Sequence, residues 1–321
     1  FLFLFSLSIS AENSWITKKE SLDKDEICSK ELSTEMLNIK SDFFIDIEDY
    51  DNAFKCSIYA ANQKDTYAEA TVGWLYNNGY GVEKNYKKAI EYLNKAKNGG
   101  SDYARNLLAE NYANGWGVNE NLGKALGLYT KSANNGDDYA QAELGYYYYF
   151  GKGTEVNKQL AYYWFEKAAD QGNSYAQGRV GYMLYKGDHV EQNLEEASRF
   201  IKLAADKGDT FSEANYGYML LNGDGVETNY EEAFRYSKLA ADKGDDYAQA
   251  NIGYHYEYGE GVEKDITKAI KYYELAAKQE NEYALERLDF IRKEDLDNVE
   301  ENDYVSSEVT SSYITKKKDK K

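Results

Sequence analysis

Little in this 321-residue chain is equipped for covalent or metal chemistry. Its two histidines, His189 in a glycine-rich turn and His255 in a helical stretch, do not make the paired spacing of a histidine zinc site. The two cysteines, Cys28 and Cys56, are not a Cys-x-x-Cys pair. No metalloprotease helix motif, nucleophile elbow or phosphate loop occurs, and the Gly-x-Gly pairs lack the further glycine and preceding strand of a dinucleotide site. Ser21-x-x-Lys24 has the spacing of the nucleophile motif of penicillin-recognising enzymes but stands without the companion motifs. Asn222, Asp224 and Glu227 miss the spacing of a calcium loop, and turn chemistry accounts for them. The sequence therefore predicts no catalytic residue, no metal and no cofactor. What it holds in quantity is aromatic side chains, among them 33 Tyr, and their chemistry is recognition: a large rigid surface with a polar tip.

Those rings recur on a fixed period. Steps of 36 residues from Tyr67 reach Tyr103, Tyr139, Tyr175, Phe211, Tyr247 and Tyr283, so six copies fill residues 67–282 without insertion or deletion. Small residues keep the same register at Gly73, Ala109, Gly145, Gly181, Gly217 and Gly253, and at Ala89, Ala125, Ala161, Ala197, Ala233 and Ala269. Paired glycines such as Gly79 with Gly81 and Gly223 with Gly225 mark one turn, broken by His189 in the fourth copy. Each copy reads as helix, turn, helix, turn. Thr66, Asp102, Asp138, Ser174, Thr210 and Asp246 are expected to cap the first helix, with capping boxes from Thr66 to Glu69, Ser174 to Gln177 and Thr210 to Glu213. Asn85, Asn121, Asn157, Asn193, Asn229 and Asp265 are expected to cap the second. Apolar residues such as Val72, Leu108, Leu144, Val180 and Ile252 should fill the seam between helices.

Outside the repeats the reading is coarser. Residues 1–11 look like the apolar part of a truncated secretory signal, too short to span a bilayer. Residues 12–66 make an N-terminal segment and a degenerate cap repeat, with one helix expected over 26–37 and a second over 49–62. Both cysteines lie in this cap, where an exported protein can join them as one disulfide and a reducing compartment would leave two thiols. Residues 283–292 should form a capping helix with Arg287 and Arg292 as polar cover, and 293–321 a charged, solvated tail. A net charge of −18 opposes binding to nucleic acid and favours a partner carrying basic groups. The absence of an Asn-x-Ser/Thr acceptor leans towards a bacterial periplasm, envelope or secreted location over a eukaryotic secretory lumen.

The recurring pattern of Leu144-Gly145, Tyr148, Gly151, Gly153, Asn157, Ala161, Ala168-Ala169 and Gly172 resembles that of the Sel1-like repeat proteins, relatives of the tetratricopeptide arrays. The resemblance implies an all-α fold, a right-handed α/α solenoid of six helix-turn-helix repeats, acting as an adaptor or scaffold for other proteins. Some Cys-rich relatives are associated with β-lactamase-like hydrolysis, but their repeating Cys pairs are absent here. If the register follows the tetratricopeptide family, the first helices line a concave groove. Its expected contact residues are Trp74, Tyr103, Glu110, Tyr139, Tyr146, Tyr149, Phe150, Tyr175, Tyr182, Tyr185, Tyr218, Tyr254 and Tyr258, densest from Tyr139 to Tyr185. The opening aromatic residue of each copy has a competing role as a wedge between repeats, because stacking needs the same framework in every copy. Asn77, Asn78, Asn114, Lys186, Asn222 and Glu257 are expected polar contacts. The reading is an exported scaffold that binds a protein or peptide segment; a glycan or cell-wall binding module is the alternative, since Tyr and Trp faces also stack on sugars.

Overall fold

A computed structural model describes residues 28–301. The expected signal segment, residues 12–27 and 302–321 lie outside the described residues. Among the described residues there are fifteen helices and no strand, an all-α repeat solenoid. The first pair, α1 (Thr34–Asp46) and α2 (Tyr50–Asn62), is the cap repeat. Six pairs follow: α3 (Thr66–Asn78) with α4 (Tyr86–Asn98), α5 (Asp102–Asn114) with α6 (Leu122–Asn134), and α7 (Asp138–Phe150) with α8 (Lys158–Asp170). Then come α9 (Ser174–Lys186) with α10 (Leu194–Ala205), α11 (Thr210–Asn222) with α12 (Tyr230–Asp242), and α13 (Asp246–Tyr258) with α14 (Ile266–Ala277). A single helix, α15 (Glu282–Glu301), ends the stack. The chain divides into two compact units between Ala176 and Gln177, within α9.

Several boundaries differ from the sequence reading. The helix expected over 26–37 begins at Thr34 instead, behind Ser33, whose hydroxyl accepts from the Met36 amide. The terminal helix continues past 292 to Glu301, through residues expected to belong to the tail. The first-helix caps sit one residue earlier than predicted, at Asp65, Ser101, Asp137, Asn173, Asp209 and Asp245, each accepting from the backbone amide three residues on. At Asp65 and Asp137 the side chain does two things at once. Asp65 also accepts from the Asn38 amide and Asp137 from that of Asn106, so the cap oxygen ties one first helix to the preceding one. The three expected capping boxes therefore do not form, and Glu213 is drawn to Lys243 instead. The second-helix caps are those predicted, from Asn85 to Asp265.

The seam explains the small residues. A Cβ on Gly145 would lie 2.6 Å from the Phe165 ring, and one on Gly253 would lie 2.5 Å from that of Tyr273, so only Gly or a shifted Ala lets each hairpin close. Val72, Leu108, Leu144, Val180 and Ile252 are buried, as are the alanines from Ala89 to Ala269. The second glycine of the turn has a further task. Gly225 has φ +69°, and a Cβ there would overlap the Leu194 carbonyl at the start of the preceding second helix. Gly81 on Tyr50 and Gly261 on Tyr230 repeat that contact. The turn thus seats each repeat on its neighbour.

In the cap, Cys28 and Cys56 are joined as a disulfide, with Cα atoms 5.1 Å apart. It fastens the chain before α1 to α2 beside buried Leu37 and Phe44. No helix among the described residues is long and apolar enough to cross a membrane.

Candidate interaction site

The predicted contact residues fall into separate groups, and the structure gives them unequal roles. In the first unit, the opening rings behave as wedges. Tyr139 meets the buried Tyr129 edge-on at 6.4 Å, and Tyr175 meets Phe165 at 6.0 Å, each packing on the second helix of the preceding repeat. Both rings are half-buried, so the wedge role that competes with groove contact is present at each. Tyr103 stays more open at the ring, while its hydroxyl is desolvated beside Glu110, which pushes its pKa up.

Position seven, the residue seven after each opening aromatic, is different. Trp74 and Glu110 occupy it in adjacent repeats and both line a cavity of about 190 Å³. Tyr86, Leu107 and Trp116 complete its apolar wall, and Asn77, Asn78 and Lys84 supply polar groups. The Tyr86 and Trp116 rings stack at 5.7 Å, and Trp116 is 40% exposed. Sequence reasoning missed Trp116, Tyr86, Lys84 and Leu107 because it looked along the first helix only. The available signal was a turn position that varies between copies, reading Tyr80, Trp116, Lys152, Asp188, Asp224 and Glu260.

Glu110 is the electrostatic centre of this region. Its Oε1 accepts from the Tyr139 hydroxyl at 2.8 Å, and among the described residues no Lys or Arg forms an ion pair with it. Burial raises its pKa, against the lowering effect of the Tyr139 hydrogen bond. Glu143, in the next repeat, is pushed up to about 7 by burial and then by the charge of Glu110, with Lys152 opposing. Burial and the neighbouring Glu143 carboxylate likewise raise the Tyr147 phenol to about 12. Two carboxylates on adjacent first helices are thus held in surroundings that favour the protonated form.

Further along the first unit, Tyr146, Tyr149 and Phe150 form an aromatic cluster, with the Phe150 ring 4.7 Å from Tyr146 and 4.9 Å from Tyr149. Lys152 lies over Tyr146 at 4.5 Å and Lys158 over Tyr149 at 5.3 Å. Phe150 is 50% exposed. In the second unit, Tyr182 packs edge-on to Phe211 at 5.2 Å, Tyr185 donates to Asp224 Oδ2 at 2.8 Å, and Lys186 sits over both tyrosine rings. Tyr218 is exposed. Tyr254 and Tyr258 lie 4.6 Å apart, with the Arg287 guanidinium over Tyr258.

Several expected polar contacts are occupied internally. Glu257 is buried and accepts from Tyr273 and Arg287, so it anchors α15 and is closed to a partner. Asn77 exchanges amide hydrogen bonds with buried Asn111, at 3.1 and 3.2 Å, though it still borders the cavity. Asn78, Asn114 and Asn222 each donate to the carbonyl four residues back on the same helix, so each side-chain amide is folded onto its own backbone. His255 is buried; its Nδ1 lies 2.7 Å from the Glu260 carbonyl oxygen, its Nε2 has no partner, and burial pushes its pKa down.

The Sel1 repeat family pattern matches residues 66–101, 102–137, 138–173, 174–209, 210–245 and 246–281. The chain belongs to the Sel1 repeat family. Among solved structures, it is similar to a protective antigen of uropathogenic Escherichia coli strains that displays the SLR fold. That antigen is 27% identical, with a TM-score of 0.65, over 79% of this chain and 58% of the antigen. This Sel1 repeat chain thus spans under two thirds of the antigen's length. It is also similar to a Sel1 repeat protein of Oxalobacter formigenes, 26% identical with a TM-score of 0.66, over 75% of this chain and 96% of the other. No curated protein matches the chain in sequence.

Proposed function

We propose that this Sel1 repeat chain is an exported, non-enzymatic scaffold that binds a protein or peptide segment on the face of its first helices. The observation that carries the reading is the contrast between two register positions. Seam residues such as Val72, Leu144 and Ile252 are buried and keep one character, whereas position seven varies among Trp74, Glu110, Tyr146, Tyr182, Tyr218 and Tyr254 and reaches the surface or a cavity. Stacking explains constancy; variation at accessible positions fits a surface shaped for a particular partner. The mechanism is recognition: aromatic anchors bury apolar groups of the partner, and the acidic chain attracts one that carries Lys or Arg. Export is supported by the apolar start of the sequence and by the Cys28–Cys56 disulfide, which an oxidising compartment maintains. The similarity to a protective antigen of Escherichia coli accords with an envelope or secreted location.

The test is capture from the envelope fraction of the native cell by residues 12–321, compared with a variant carrying Tyr146, Tyr182 and Tyr218 changed to Ser. Both must show matching helical circular dichroism and melting. A protein held by the first and released by the second supports the reading. Equal retention by both places binding elsewhere, and retention of glycan in place of protein turns the assignment to a wall-binding module.

A further inference from the structure

The cavity between the first two repeats is too small for a helix and the right size for one side chain or one ring: about 190 Å³ is the space of roughly six waters. Its chemistry narrows the occupant. Trp74 and Trp116 bring indole faces, Leu107 an apolar floor, and Glu110 a carboxylate whose Oε1 is already engaged by Tyr139. A partly desolvated carboxylate without a counter-cation is costly, and Glu110, half-buried and lining the cavity, keeps acceptor capacity beyond its bond to Tyr139. Resting on the scaffold reading above, we propose that this cavity takes a single arginine side chain of the bound segment, stacked on indole and hydrogen-bonded to Glu110.

Arginine fits better than lysine for physical reasons. A guanidinium is planar, weakly hydrated, stacks on aromatic faces and offers donors in a fork, whereas an ammonium carries a tighter water shell. Lys84 also borders the cavity, with its Nζ 5.6 Å from the Tyr86 ring centroid. It is exposed and suits the backbone carbonyl of the arriving segment, while the guanidinium goes to the Glu110 end. Glu143, in the next repeat, has its own nearby cation in Lys152. A sugar ring would also stack on indole, but it brings no charge to answer Glu110.

The test follows the indole N–H signals of Trp74 and Trp116 by NMR in the full chain, with N-acetyl-arginine methylamide as the probe. The citrulline counterpart is its neutral isostere, the lysine counterpart its ammonium control, and N-acetylglucosamine the sugar control. The expected result is a saturable shift of both indoles at roughly millimolar arginine probe, as suits a single side chain. The response should be at least tenfold weaker for the lysine probe and absent for citrulline. Glu110→Gln, which keeps an acceptor for Tyr139, should weaken the arginine response tenfold or more, and Trp116→Leu on the exposed turn should do the same. Equal response to citrulline, insensitivity to both substitutions, or saturation by N-acetylglucosamine alone would overturn the proposal. Envelope capture that depends on Tyr146, Tyr182 and Tyr218 while the indoles ignore arginine would leave the scaffold reading standing and remove this one.

Discussion

The hydroxyl of Tyr139 donates to Oε1 of Glu110 across 2.8 Å, so the ring that opens one repeat holds the carboxylate of the repeat before it. Tyr139→Phe keeps the wedge and deletes the donor. It should destabilise the protein by roughly 1–2 kcal/mol, because the half-buried Glu110 is left less satisfied. The same change in a Glu110→Gln background should cost less, and a double-mutant cycle by urea unfolding measures the difference. Equal cost in both backgrounds would mean the hydrogen bond contributes nothing.

Stability should depend on pH in two opposed windows. Glu143 has a pKa raised to about 7 in the folded chain, so its contribution is fully present below its unfolded value and is lost as pH rises towards 7. The loss is roughly 1–3 kcal/mol once its partial exposure is allowed for, and Glu143→Gln should remove it. His255 acts the other way. Its pKa is lowered by burial, so the unfolded chain takes up the proton first and stability falls as pH drops below about 6.5. Thermal melts between pH 5 and pH 8 should show the Gln variant of Glu143 losing the decline on the alkaline side only.

The turn glycines should not be equivalent. Gly225→Ala meets both a left-handed φ and the Leu194 carbonyl, whereas Gly244→Ala meets only the φ, since nothing lies within 4 Å of its Cβ direction. The second substitution should cost about 1–2 kcal/mol and the first clearly more, with the excess reporting how tightly the turn rests on its neighbour. Chemical denaturation of the two variants settles the order.

Much of this arrangement could be read in the sequence. The period, the helix pairs, the seam alanines and the second-helix caps follow from residues whose local chemistry is decisive, as Asn85 is for the Lys88 amide. What escaped reading depended on partners distant in the chain. Asp65 outcompetes Thr66 as a cap partly because Asn38 reaches it, and Glu257 is closed to a partner because Arg287 arrives thirty residues later. The cavity was half legible: Trp74 and Glu110 stood out by varying within a constant register, but Trp116 joins them only through the stacking of a turn on the preceding repeat.

Arg287 offers a test at the other end. It bonds Glu257, which also accepts from Tyr273, and covers the Tyr258 ring. Arg287→Ala should leave a buried carboxylate unpaired, cost about 3–5 kcal/mol, and loosen α15 first. Hydrogen exchange should then show α15 amides exchanging faster than those of α12. Unchanged protection there would contradict the assigned anchor.

Reduction should act on the cap. The Cys28–Cys56 bond joins residues 28 apart in sequence, and its loss should remove roughly 3–4 kcal/mol from the cap repeat. Limited proteolysis with and without reductant should reveal new cleavage between Ser29 and Ser33, while α3 and later helices stay protected.

One recurrent pairing has a consequence at the level of the gene. Gln171 donates to Gln141, Lys243 to Glu213 and Gln279 to Gln249, each pair thirty residues apart and each joining the end of a second helix to the first helix of the same copy. Because these fastenings recur at the same place in three of the 36-residue copies, and the copies follow one another without insertion, a crossover between misaligned copies keeps the helices in register. Such a chain can lengthen or shorten by whole repeats in one recombination step, trading reach along a partner without any new joint having to evolve.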